Sequence, residues 1–585
     1  MMNGKMMKKS LSLLLALCML LGLMTACGGE EQQGEAAPKY LRTVGTGAAS
    51  NINPLQSNVN ADLNVATYTA SSLYGYILGE SGKGELLPIY ADGEPVDVNG
   101  DGTVWQMKIR EDAKWADGAP MNADTFLYSW KMVLDPNLLM SFAGQFAVNF
   151  IEIKGAKDYY MQVANGTTVA WEDVGIKKVD DYTVEITAVE MCSAVEVMRH
   201  FGDISASPVY EPLFEAGMNS DRSSTTYGTE KAQIACSGPF YIDTWVKSSE
   251  IKYLKNPNWP HADLIKVDGM VSRTVSDSGA AMQLFEAGEV DNIGLSVAAL
   301  AKYREDPRLM INDATMMYTI DICDTNENQP ILANMNFKRA LYYGTDHVAI
   351  AKLAEERPAT WLIAHRAVSY ADGTTFRDLD IANEYLPENF GYDPELALEY
   401  FNKAMEEEGL ESVTIDMLYA SDGGTSSIIA QYLQESLPAI FGADRFTMEL
   451  SAMPNTEMLA LKKGCVSDPN AYEISVSRWG VVAQRYSPVR ALEVYESTYS
   501  RRNAPYHCAE GDAAFNAALE PEVRVDEKAS AIATAAAEKA YLEGLVTIPV
   551  CEQVTYSMNS DRLIPAIEKF DASIGTAFIY SDIKQ

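Results

Sequence analysis

Two interleaved sets of side chains run from Val104 to Ile109: Trp105, Met107 and Ile109 fall on one face, and Val104, Gln106 and Lys108 on the other. That period of two predicts a strand with one apolar face. The strand ends near Arg110, Asp117-Gly118 supplies a turn, and Asn122 caps a helix whose Phe126, Trp130 and Val133 share a face. The stretch AMQLFEAGEVDN (281–292) reads as a helix stopped at Gly288 and followed by a strand. YDPELALEYFNKA (392–404) begins a helix with Asp393 as cap and Pro394 at the first helical position.

The residues just before the first strand raise a chemical question. In DVNGDG (97–102), Asp97, Asn99 and Asp101 alternate ahead of Gly102, as at the start of a calcium loop. Such a loop needs a carboxylate at its twelfth position, which here is Lys108. A strand also follows where a helix should. Asn-Gly and Asp-Gly reach positive φ at little cost, so the expectation is a tight hairpin turn. A secreted calcium-dependent enzyme or assembly protein remains only as an alternative resting on this motif.

The chain has 585 residues, too many for one core, so two or three lobes are expected. Lys5, Lys8 and Lys9 precede an apolar run from Leu11 to Leu23 and the small residues of LMTAC, ending at Cys27. This is the pattern of a secretory leader. LMTAC resembles a bacterial lipobox, with Met24 where leucine is usual, which implies Cys27 as the lipidated first residue of the mature chain. GGEEQQGEAAP (28–38) suits a flexible tether. The expected location is the extracytoplasmic face of a bacterial cell membrane. The formal charge is −35, and −38 without the three leader lysines, which makes nucleic acid an improbable partner.

Catalytic signatures are missing. The five histidines, His200, His261, His347, His365 and His507, show no metal-ligand spacing, and each is read as structural. No GxSxG elbow occurs, and GESGKG (79–84) lacks the Ser or Thr a phosphate loop places after lysine. Besides Cys18 and Cys27, Cys192, Cys236, Cys323, Cys465, Cys508 and Cys551 are widely scattered. One or two long-range disulfides are the most they would support. No enzyme, cofactor or metal site is expected.

The block DGTVWQMKIREDAKWADGAPMNADTFLYSWKMV (101–133) resembles the substrate-binding proteins of oligopeptide and dipeptide ABC importers. The likeness continues in order through LLPIYADG (86–93), IKGAKDYY (153–160), WEDVGIKKVDDYTVEIT (171–187), YGTEKAQIACSGPFYIDTW (227–245), KNPNW (255–259) and FKRALYYGTDH (337–347). It implies an α/β clamshell of two lobes with an extra domain in the first. The expected layout is a leader over 1–26, a tether over 27–39, a first lobe over 40–270 with the extra domain at about 65–185, a second lobe over 271–535, and a return over 536–585. The first crossing is expected near Val267–Arg273. The helix Glu527–Tyr541 and the strand VTIPV (546–550) are expected to complete the first lobe.

The same resemblance implies a monomer that closes over a peptide or peptide-like solute and presents it to a membrane permease with separate ATPase subunits. A peptide-sensing receptor without an import role is the alternative. The ligand question centres on YEISVSRWGVVAQRYSPVRAL (472–492). Related peptide binders carry approximately W-x-A-D-Y-x-x-P there, and the aspartate holds the peptide amino group. Here Trp479-Gly480 and Tyr486 with Pro488 match the flanks, but VVAQR between them has two extra residues and no acid. Arg478 and Arg485 would favour an anionic or carbonyl-rich group. The plainer reading of either arginine is a solvated charge, and of Trp479 a core aromatic. On the first lobe, Asn58 in NPLQSNVN (53–60) is the leading candidate, with Ser237 and Gly238 behind it.

Overall fold

A computed structural model describes residues 37–57, 59–464, 468, 470–480, 487–499 and 506–584. The leader, most of the tether, Cys18, Cys27, Asn58, Cys465, Arg485 and Tyr486 lie outside the described residues. The DVNGDG stretch is a hairpin: Val96–Asp97 pairs antiparallel with Val104–Lys108. Its turn has positive φ at Gly100 and Gly102. The Asp97 carboxylate accepts the N–H groups of Gly100 at 2.9 Å and Gly102 at 2.8 Å. Asp101 accepts the Thr103 N–H at 2.9 Å. These oxygens serve the loop's own amides, and Lys108 pairs with Asp92 at 2.8 Å. Calcium is therefore expected to leave the melting temperature unchanged, read by scanning fluorimetry in calcium and in chelator.

Local signals elsewhere act as the sequence implies. Asn122 and Thr125 form a reciprocal capping box on the helix Ala123–Val133, which buries Phe126, Trp130 and Val133. The Asp393 side chain accepts the Leu396 N–H at 2.9 Å to cap Pro394–Glu408. Gly288, at φ 70°, follows the helix Ser278–Glu286. No described helix is long and apolar enough to cross a membrane.

The architecture is organised by one mixed sheet of eleven described strands. In chain order these are β1 (Tyr40–Gly45), β2 (Phe240–Val246), β3 (Glu250–Lys255), β4 (Gly269–Thr274), β5 (Asn292–Leu295), β6 (Leu309–Ile322), β7 (Arg357–Pro358), β8 (Val413–Ala420), β9 (Phe446–Met453), β10 (Ile474–Trp479) and β11 (Thr547–Asn559). Across the sheet the order is β9-β8-β10-β6-β11-β5-β1-β4-β3-β2, with β7 beside β11.

Two separate cores divide the fold into lobes. The first gathers residues from Leu41 to Met270 and recovers Leu563, Ala577, Tyr580 and Ile583 from the end of the chain. The second gathers residues from Tyr318 to Cys551, including helices Met335–Gly344, Pro394–Glu408 and Gly424–Phe441. The antiparallel strands β6 and β11 run from the second core to a small core that holds Ile293, Leu295 and Met558, where β11 pairs with β5 and β5 with β1. Leu309 to Asp313 pair with Met558 to Val554, and Met317 to Asp321 pair with Glu552 to Thr547, with register shifts between Asp313 and Met317 and between Tyr318 and Thr319. Beside them Asp291, fully buried, accepts from Arg42 at 2.8 Å and Arg562 at 2.7 Å, fixing β1 and the returning chain to one carboxylate.

These crossings differ from the expected ones. β4 is hydrogen-bonded between β1 and β3, so Val267 and Met270 stay in the first core, and the chain leaves along β6. Ile548 and Val550 of β11 belong to the second core because they lie on the apolar face of its sheet. Ala535, Ala537 and Tyr541 of the helix Glu527–Glu543 pack in a third core with residues of 362–382 and 489–508. Cys192, Cys236, Cys508 and Cys551 are buried free thiols, so none of these four enters a disulfide.

Candidate functional site

β10 sits between β6 and β8 and alternates by face. Ile474 and Val476 enter the second core, while Ser475 and Ser477 point to the opposite side. At its end Arg478 lies opposite Tyr318, and Trp479 opposite Met317. Arg478 is exposed; Trp479 is half-buried and packs against the third core. The Trp479 Nε1 is buried and has no hydrogen-bond partner among the described residues. Gly480 follows where the chain passes the backbone of Thr315, since a Cβ there would lie 2.3 Å from the Thr315 carbonyl oxygen. Alanine cannot fit.

Arg478, Trp479 and Gly480 line a pocket of about 140 Å³ together with Met316 and with Asn455, Met458 and Leu459 of the helix Asn455–Gly464. Lys462 and Ser477 complete it. The structure thus brings three of the sequence candidates to one place. Ser237 and Gly238 are elsewhere, in the first lobe. Ser237 is buried, its hydroxyl accepts the Ser71 N–H at 3.1 Å and donates to the Ser71 carbonyl at 3.2 Å. The Gly238 N–H donates to the Thr69 carbonyl at 2.9 Å, and a Cβ would lie 2.6 Å from the Thr69 carbonyl carbon. Both residues are engaged in closing the chain onto 69–71.

Behind the pocket is a charged cluster that sequence reading missed. The fully buried Lys462 ammonium is 2.8 Å from Asp321 on β6. Ser477 donates to the same carboxylate, and Thr547 of β11 donates to its other oxygen at 2.7 Å. Burial pushes the Asp321 carboxyl up, but the Lys462 charge and these donors hold it below its ordinary value. The available signal was the alternation itself: Thr319 and Asp321, like Ser475 and Ser477, place polar groups at every second position of strands otherwise buried.

A second cluster lies at the crossing. Glu552, fully buried on β11, pairs with Met317 across the sheet and accepts from the Trp361 indole at 3.0 Å. His365 contributes its Nδ1 at 2.7 Å and its backbone N–H at 2.9 Å, and Arg357 lies at 3.3 Å. Burial would raise the Glu552 carboxyl; His365 and Arg357 bring it below its ordinary value. His347 holds the Pro549 carbonyl at 2.9 Å, and burial takes its imidazole down to about 4.

Glu356 behaves differently. It accepts the Val554 N–H at 2.8 Å and the Thr425 hydroxyl at 3.0 Å, and burial, with Glu552 nearby, raises its carboxyl to about 7. The folded state therefore binds a proton that the unfolded chain releases above pH about 4.5. Stability from this group is present below about 4.5 and is lost as pH rises through about 7. Glu356→Gln is expected to remove one proton's worth of downward slope between those values, measured by urea unfolding across pH 4.5 to 8.

Comparison with known proteins places this geometry. The sequence profile described as bacterial extracellular solute-binding proteins, family 5 Middle, matches residues 85–498, more than half of the chain. The oligopeptide-binding protein OppA of Bacillus subtilis is 25% identical over 522 residues, covering 85% of this chain and 86% of its own. Among solved structures, Listeria monocytogenes OppA bound to peptide aligns with TM-score 0.61 at 20% identity, covering 94% of this chain and 100% of that one. The unliganded open form of the periplasmic murein tripeptide-binding protein MppA aligns with TM-score 0.76 at 17% identity, over 94% and 98%.

Proposed function

Because the chain belongs to the bacterial extracellular solute-binding proteins of family 5, we propose that it captures oligopeptides or peptide-like solutes between its lobes and delivers them to an ABC permease. The observation that carries this reading is the pair of long strands, β6 and β11, which lead from the second core to β5 and so to β1, the side of the sheet that carries the first core. A guest touching both lobes favours a closed arrangement, since only that arrangement makes both sets of contacts. Extended peptides suit such a cleft because backbone hydrogen bonds hold them whatever their side chains. The relatives' names support the ligand class, being those of oligopeptide-binding proteins.

In this reading the ligand's end approaches Arg478, Trp479 and Gly480, with Arg485, Tyr486 and, from the first lobe, Asn58 as further contacts. No aspartate within 479–488 fixes a peptide amino group. The protein is a monomer without catalytic activity, held to the extracytoplasmic face of the cell membrane through lipid on Cys27, with GGEEQQGEAAP as tether. Native mass spectrometry of freshly purified protein tests the proposal. A ladder of bound peptide masses is expected; a single sugar or metal-chelate mass in their place would refute it.

A further inference from the structure

We infer that Arg357 is a positioning residue for the pocket at the end of β10: it clamps both flanks of a break in β6 and so sets where Met316 stands. This rests on the peptide-capture reading and adds a residue to it. Between Asp313 and Met317, β6 has three residues, Ala314, Thr315 and Met316, where β11 has one, Gln553. Among the described residues those three have no register partner on β10 either. Such a bulge bends its strand and re-aims a side chain. Here the last residue of the break, Met316, lines the pocket with Arg478, Trp479 and Gly480.

The flanks are held from one short segment. On β7, Arg357 lies opposite Glu552, which is itself opposite Met317. Its guanidinium donates through Nη2 to Asp313 at 2.6 Å and through Nη1 to Glu552 at 3.3 Å. One planar fork therefore grips the residue before the break and the partner of the residue after it. The neighbouring Glu356 accepts the N–H of Val554, the partner of Asp313, at 2.8 Å. Its other oxygen accepts the Thr425 hydroxyl at 3.0 Å, rooting the clamp on the helix Gly424–Phe441 of the second lobe.

One end of the grip is fixed, since Glu552 is fully buried and also holds Trp361 and His365. The other end is not. Asp313 is half-buried, and the cation that holds its carboxylate is Arg357. Without the guanidinium, the two flanks lose their common anchor and the three residues between them can take another path. Met316 then leaves its place in the pocket wall, and a guest loses that contact.

The test is a double-mutant cycle on binding. Protein stripped of bound peptide by unfolding and refolding is mixed with a random pentapeptide library, and one retained pentapeptide is titrated against each variant by calorimetry. Arg357→Met should weaken binding at least tenfold, and Met316→Ala severalfold. The double variant should bind within twofold of Arg357→Met, because Met316 has already left the pocket wall once the clamp is gone. If Arg357→Met does not refold, Asp313→Ala, which frees one flank and keeps the Glu552 pair, takes its place in the same cycle. Losses that multiply in the double variant overturn the inference, since a merely structural Arg357 would act independently of Met316. Wild-type affinity in Met316→Ala, or in the folded clamp variant, also overturns it and leaves peptide capture intact. Retention of no pentapeptide by the unaltered protein overturns peptide capture, and this inference with it.

Discussion

Glu538→Ala is expected to destabilise the protein by about 3–5 kcal/mol, the range for leaving a buried charge without its partner. Glu538 lies on the helix Glu527–Glu543 and is fully buried, as is the Arg377 guanidinium it pairs with, at 1% exposure. Its Oε1 accepts the N–H groups of Leu362 at 2.7 Å and Ile363 at 2.8 Å, and the Tyr385 hydroxyl donates to its other oxygen. Burial would lower the Arg377 pKa, yet Glu538 and Tyr385 hold it above its ordinary value. One carboxylate therefore ties the helix to the segment 362–385, and truncation leaves two amides and a hydroxyl without acceptors and a buried cation without its counter-charge, holding only the Ile363 and Ala382 carbonyls. Urea unfolding measures the loss. Replacing the charged pair by Glu538→Leu with Arg377→Met should recover part of it, because the desolvation cost of the ions disappears with them. A loss below about 1 kcal/mol in the single variant, the size of an exposed pair, would contradict the assignment.

Lys462→Met should cost a similar amount, about 3–5 kcal/mol at pH 8, but with a distinct pH signature. In the wild type Asp321 is held below its ordinary value, so its contribution is present above pH about 3.8 and is lost as pH falls through the folded value. Removing the ammonium leaves a fully buried carboxylate held only by the hydroxyls of Ser477, Thr547 and Thr319, where burial favours the neutral form and raises the pKa. The variant's folded state then binds a proton that its unfolded chain has released. Its stability should rise as pH is lowered from 8 toward 5, while the wild type gains nothing from this group over the same range. Unfolding curves for both proteins at each pH decide it. Parallel pH profiles for the two would mean that Lys462 does not hold Asp321 ionised. The same substitution removes one of the two cations lining the pocket beside Trp479, linking the buried cluster to the candidate site.

Much of the local structure was legible because short-range physics dictates it. Asn122 and Asp393 had only to satisfy N–H groups within three residues, and DVNGDG only to turn the chain. The blocks in the first half were recognisable for a related reason. They combine such caps and turns with a fixed apolar face, as in Trp105, Met107 and Ile109. The crossing points were not legible. Nothing within β4 says that it pairs with β1 from more than two hundred residues earlier, or that Ile548 and Val550 will face the second core. Those outcomes depend on register between distant strands, which local pattern does not encode.

The candidate site was legible in part. Arg478, Trp479 and Gly480 do meet at one pocket, since three consecutive residues at a strand end share a location. Ser237 was a candidate on the first lobe, but its hydroxyl is taken up by Ser71, a partner 166 residues away that sequence could not supply. Nothing in the sequence around Lys462 sets it apart. Its burial becomes intelligible only when Asp321, from a strand 141 residues away, comes beneath it. Polar alternation in Thr319-Ile320-Asp321-Ile322 was the one available warning that a buried charge needed a partner.

The most direct measurement is small-angle scattering from peptide-stripped protein before and after saturation with the peptides it carries when purified. If two lobes joined by β6 and β11 close on a guest, the radius of gyration should contract on saturation and return when the peptide is removed. Superimposable curves from the stripped protein and the protein confirmed to be loaded would contradict the account.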